Sequence, residues 1–226
     1  MKILALETTE MTGSVAAMLD DNMLAELELS RRQRSAQSLA PGMRDILDQV
    51  GWRADEVDLV AVTIGPGSFT GLRVGVTAAK MFAYATGADI LGVGALESIA
   101  LAAPRDVDNL SVAVDAQRGQ VVAGTFRRGR DGWFEAIGEA LLIDVDDWLG
   151  SLSPTAVITG PVLRKLADRV PQHVAVVDPR YWRPKASSVA RLARRDYASG
   201  RRDDLWTLVP RYSRRSAAEE KKGSGP

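Results

Sequence analysis

Gly65-Pro66-Gly67-Ser68-Phe69-Thr70-Gly71-Leu72-Arg73-Val74-Gly75 stands between a β-branched run, Val57 to Ile64, and an alanine-rich apolar segment reaching about Ala85. The first reads as a buried strand and the second as a helix, so the glycines turn a strand end into a helix start. Ser68 or Thr70 is placed to cap that helix. A turn of this kind aims free N–H groups at whatever sits above it, and phosphate is a common guest. The spacing is not that of a P-loop, because Leu72 and Arg73, not lysine and a hydroxyl residue, follow Gly71. It is not G-x-G-x-x-G either, since the glycines fall at 65, 67, 71 and 75. Gly67 and Ser68 therefore belong to an anion-binding loop or to a structural tight turn.

The helix carries a second pattern. Gly71, Gly75, Ala79 and Ala83 are four residues apart and share one face. Interior glycines each cost about 1 kcal/mol relative to alanine, so a ridge of small residues implies that something comes close to it. That neighbour is either the chain's own core or a helix of a partner protein. An earlier helix, Ser35 to Val50, presents Leu39, Met43, Ile46, Leu47 and Val50 as an apolar stripe and stops at Gly51.

Around these helices the chain alternates strands and helices. Ile3 to Thr8, Thr12 to Leu19 and Met23 to Leu29 read as an antiparallel meander. Ile90 to Val93 is a short strand, and Leu96 to Ala103 a short helix ended by Pro104. The second half opens in the same way: Leu110 to Asp115, a polar turn to Gly119, Gln120 to Phe126, then a third strand from Trp133 to Ile143. Strands are expected at Ala156 to Thr159 and Val174 to Val177, and helices at Pro161 to Arg169 and Ser187 to Ser199. The expectation is an α/β protein of two lobes, residues 1–104 and 105–226. That organisation resembles the actin/Hsp70/sugar-kinase superfamily, in which two RNase H-like lobes face one another across a nucleotide cleft.

In that superfamily, acids ending the first strand of each lobe handle magnesium and phosphate. The positions here are Glu7, followed by Thr8, and Asp115. A strand-tip carboxylate can hold a metal or act as a base, or it can cap its own turn. The single histidine, His173, and the lack of cysteine exclude Cys–His catalysis and leave a zinc site only carboxylates. No disulfide framework, signal peptide or membrane span is readable, so the cytoplasm is the expected compartment. Lysine plus arginine balances aspartate plus glutamate at 29 each, yet residues 180–215 hold eleven basic and three acidic side chains. Arg194, Arg195, Arg201 and Arg202, interleaved with Tyr181, Trp182, Tyr197, Trp206 and Tyr212, suit either RNA contact or a solvated basic face.

GPGSFTGLRVGV resembles the signature of the TsaB (YeaZ) family. Ile3 to Thr9 is similar to that family's opening strand, where many members have aspartate in place of Glu7. Val114 to Val121 resembles its Asp-Ala-Arg-x-x-x-Val run with Gln117 replacing the arginine, and Pro210 to Arg214 its Pro-x-Tyr-x-Arg. A histidine common before the family's first helix is Ser35 here, so no role for it carries over. The resemblance implies a non-catalytic paralogue of TsaD, the glycoprotease-like subunit that holds metal on an H-x-x-x-H helix absent here. Such a subunit supports TsaD and the ATPase TsaE in transferring threonylcarbamoyl to the adenosine beside the anticodon of tRNA. It implies no cofactor of its own, with ATP or ADP and metal on the partners, and homodimers when alone. It also implies that Leu39, Met43, Ile46 and the 71–75–79–83 ridge form half of an intermolecular four-helix bundle. The rivals are an active small kinase or ATPase using Glu7 and Asp115, and a metallopeptidase.

Overall fold

The computed structural model describes residues 1–29 and 35–213. Arg214 of the C-terminal motif and the Gly223–Pro226 tail lie outside them. The first lobe runs β1 (Lys2–Glu7), β2 (Ser14–Leu19), β3 (Asn22–Glu28), α1 (Ser35–Val50), β4 (Leu59–Gly65), α2 (Phe69–Thr86), β5 (Asp89–Gly94) and α3 (Ala95–Ala102). The second runs β6 (Asn109–Asp115), β7 (Gln120–Arg128), β8 (Phe134–Ala136), β9 (Leu141–Asp144), α4 (Val145–Ser151), β10 (Val157–Thr159), α5 (Leu163–Leu166), β11 (Ala175–Val176) and α6 (Ala186–Ala198).

The sheets share one plan. Five strands in the order β3-β2-β1-β4-β5 form the first, and six form the second, β11-β10-β6-β7-β8 with β9 also on β7. In each, the opening strand is antiparallel to the next strand in sequence and parallel to a later one. This is the α/β, RNase H-like pattern expected twice over.

Alternation along the first sheet decides what covers it. Leu4, Leu6, Val15, Val60 and Val62 pack with Leu39, Met43 and Ile46 of α1 and Val76, Ala79 and Ala83 of α2. Ile3, Ala5, Ala16, Leu59 and Ala61 pack instead with Val189, Ala190 and Ala193 of α6. Helices α1 and α2 therefore lie on one face and α6 on the other. The last helix, expected with the second lobe, thus closes the core of the first, and Arg211 N–H donates to the Ile64 carbonyl beyond it.

The second lobe departs from expectation in detail. The strand foreseen from Trp133 to Ile143 is broken into β8 and β9 by a turn with Gly138 at φ 78°. Helix α4 was not foreseen. It follows β9 directly and buries Val145, Trp148 and Leu149. The helix expected over Pro161 to Arg169 is the single turn α5 followed by a 3-10 turn, Ala167–Arg169.

Candidate functional site

Glu7 ends β1 and is fully buried. One carboxylate oxygen accepts hydrogen bonds from the Thr9 N–H, at 2.6 Å, and from the Thr9 hydroxyl. Oε2 has no hydrogen-bond partner among the described residues. Burial outweighs the Thr9 bonds and raises the Glu7 pKa from 4.5 to about 7. Glu10, half-buried beside it, is also raised by burial, against the lowering effect of Arg164.

Asp115 ends β6 in a different state. Its Oδ1 accepts from the Gln117 N–H at 2.8 Å and caps the turn, in which Gln117 and Arg118 have positive φ. Its Oδ2 accepts from Lys165 Nζ at 2.5 Å, and that bond raises the lysine pKa. Next to it Arg164 pairs with Glu10 at 3.1 Å, tying α5 of the second lobe to the loop after β1. Both acids are engaged within the chain. Lys165 and the turn N–H engage both oxygens of Asp115, and the Glu7 carboxyl is sealed inside. Among the described residues no three His, Cys, Asp or Glu side chains converge as a metal set would.

The glycine-rich turn serves the fold. Ser68 N–H donates to the Thr9 carbonyl at 2.8 Å, and the Ser68 hydroxyl accepts from Gly71 N–H at 3.2 Å to cap α2. Those two N–H groups are spent inside the chain and do not face an anion. Thr8 Oγ1 donates to the Gly71 carbonyl at 2.8 Å. A Cβ on Gly71 would run into the Thr8 carbonyl, one on Gly75 into the Thr8 hydroxyl, and one on Gly67 into Thr9. The small-residue ridge therefore seats on this chain's own β1–Thr9 segment. Ala79 and Ala83 are core, as are Leu39, Met43 and Ile46. These seven residues, expected at a partner's helix, are covered before any partner arrives.

What α2 turns outward is different. Met81 and Tyr84 are exposed, and the segment after α6 runs back along the helix beside them. Lys80 Nζ holds that segment by the carbonyls of Trp206 and Leu208. Tyr84 meets Trp206 edge to face at 5.8 Å, and Phe69 stacks on Tyr212 at 4.4 Å under the Arg73 guanidinium. Trp206 remains 71% exposed and Val209 61%, an unusual solvent exposure for such side chains. Sequence reasoning missed this face. Its only local signal was the spacing of Arg73, Thr77, Met81 and Tyr84, one helical turn apart.

The C-terminal arginines are not equivalent. Arg201 is clamped between Asp196, Asp203 and the Gly92 carbonyl. Arg202 covers the Tyr197 ring and donates to two carbonyls, and Tyr197 itself bonds Asp89. Both brace the return of the chain to β5. Arg194 and Arg195 face a groove beside α6. Tyr212 and Trp182 are engaged internally, the latter through its N–H to the Val177 carbonyl.

Two RNase H-like lobes with strand-tip acids give the chain the fold of the actin/Hsp70/sugar-kinase superfamily. In fold it is similar to component A of (R)-2-hydroxyglutaryl-CoA dehydratase from Acidaminococcus fermentans (TM-score 0.51, 9% identity, 88% of this chain and 99% of that one). YeaZ from Pseudomonas aeruginosa is nearer, with a TM-score of 0.80 and 26% identity over 93% of this chain and 99% of that one. The tRNA threonylcarbamoyladenosine biosynthesis protein TsaB of Bacillus subtilis (strain 168) is 29% identical, covering 98% of this chain and 97% of its own length. The family described as TsaD, tRNA N6-adenosine threonylcarbamoyltransferase, matches residues 22–190. The chain belongs to that family and, within it, to the TsaB (YeaZ) branch.

Proposed function

We propose that this chain is a non-catalytic scaffold in tRNA threonylcarbamoyladenosine biosynthesis. It binds a TsaD-like catalytic subunit, works with a TsaE-like ATPase, and so supports transfer of threonylcarbamoyl to the adenosine 3' of the anticodon. ATP or ADP and metal belong to those partners. The observation that carries the reading is the exposed apolar face of α2 with the returning segment: Met81, Tyr84, Trp206 and Val209. An aromatic-rich patch of this kind is what a protein interface buries. The names of the relatives supply the pathway. The engagement of Asp115 by Lys165 and of Glu10 by Arg164 supports a scaffold over an ATPase. The same face would serve a homodimer when the partner is missing.

The test is capture of a TsaD-like protein by the full chain. Tyr84→Arg should leave circular dichroism and the unfolding midpoint unchanged and abolish capture. Ala79→Arg should instead lose the folded state, because it forces an unpaired cation into the core. Undiminished capture by a folded Tyr84→Arg chain would move the interface elsewhere.

A further inference from the structure

Beside α6 lies a groove of about 1300 Å³, walled by that helix on one side and by the end of α3 and the β7–β8 turn on the other. Ser187, Arg191, Arg194 or Arg195, and Ala198 recur every three or four residues, so one face of α6 lines it. Seven of the lining side chains are arginine or lysine and two are aspartate. Arg128 is committed to the Val107, Pro104 and Gly132 carbonyls, and Arg195 to Asp196. Arg194 stands 3.9 Å from Asp21, its Nε buried without a hydrogen-bond partner among the described residues. Among the described residues, Arg105, Arg130, Lys185 and Arg191 have no side-chain hydrogen-bond or ion-pair partner. A folded chain that collects unpaired cations along one channel invites an anion.

We infer that this groove binds the phosphate backbone of RNA. Its volume exceeds that of ordinary small-molecule pockets, roughly 300–1,000 Å³, and its free cations are spread along both walls, which suits an extended polyanion over a single phosphate. Trp133 and Tyr181 each already carry a guanidinium over the ring, at 4.9 Å, so phosphate contact rather than base stacking dominates. The inference rests on the proposed function, in which the complex acts on tRNA. Its placement is compatible with that function. The groove lies on the α6 side of the first sheet, whereas the docking face of α2 lies on the other, so RNA and protein partner can be held together. Met18 and Asp21 mark its end at the opposite end of the sheet from Glu7.

The experiment is anisotropy of labelled bulk tRNA with the full chain over a salt series. Arg130→Gln and Arg191→Gln, both at exposed positions, should each reduce the slope of log affinity against log salt by about 1. Arg53→Gln, outside the groove, should not alter it, and neither should Tyr84→Arg, which separates a failed docking face from a failed RNA site. Heparin should compete, whereas ATP at the same phosphate concentration should not. Unchanged slopes in both groove variants, an equal fall in Arg53→Gln, or displacement by ATP would each overturn the inference.

Discussion

The guanidinium of Arg164 meets the carboxylate of Glu10 at 3.1 Å, joining residues 154 apart in sequence, one from each lobe. The pair is partly exposed, so its net worth is about 1 kcal/mol or less. Arg164→Gln should lower Tm by about 2–4 °C for a chain of this size if the full 1 kcal/mol is lost. Burial already raises the Glu10 pKa and Arg164 opposes that rise, so its removal raises the pKa further. A carboxyl whose folded pKa lies above its unfolded one destabilises the fold as pH rises. The deficit of the variant should therefore be larger at about pH 8 than at about pH 4. Calorimetry at the two pH values checks this, and a deficit that grows toward acid would refute it.

Glu7 gives the clearer pH dependence. Its pKa is 4.5 in the unfolded reference and about 7 when buried. Between those values the folded chain holds a proton that the unfolded chain releases, so this group's contribution to stability falls as pH rises through the window. The loss is complete above about 7 and amounts to at most about 3 kcal/mol. Glu7→Gln keeps an oxygen for the Thr9 donors and removes the titration. Urea midpoints of the wild type should fall from about pH 5 to about pH 8, and those of the variant should fall less. Parallel profiles would mean that Glu7 is not the titrating group.

How far these sites were legible in the sequence depended on the range of the contacts involved. Periodicity located β1 to β5, α1 and α2 closely, because apolar runs, the Ser68 cap and the Gly51 stop are local signals. The break between β8 and β9 and the one-turn α5 were missed because short elements leave too few residues to define a period. The destination of the small-residue ridge was not readable at all. What it meets is Thr8, 63 residues before Gly71, and nothing in either local stretch names the other. The arginines failed similarly: Arg191 and Arg201 look alike in sequence, and only tertiary contact gives Arg201 its two aspartates and leaves Arg191 without a described partner.

The ridge also supplies a test in which two physical effects have opposite signs. Helix propensity alone says that Gly75→Ala, inside α2, should stabilise the chain by about 1 kcal/mol. Packing says otherwise. The new methyl would meet the Thr8 hydroxyl, which donates to the Gly71 carbonyl in a buried site. Overpacking costs about 1–3 kcal/mol, and a displaced, unsatisfied hydroxyl adds a comparable amount. Gly75→Ala should therefore lower the urea midpoint, with a net loss of about 1–3 kcal/mol. Gly71→Ala should lose more, because the obstacle there is the Thr8 backbone carbonyl, which cannot rotate away. On the outward face, Thr77→Ala meets no such obstacle and should gain a few tenths of a kcal/mol from propensity alone. If Gly75→Ala is instead stabilising, α2 does not sit tightly on Thr8, and the ridge is available to another helix after all.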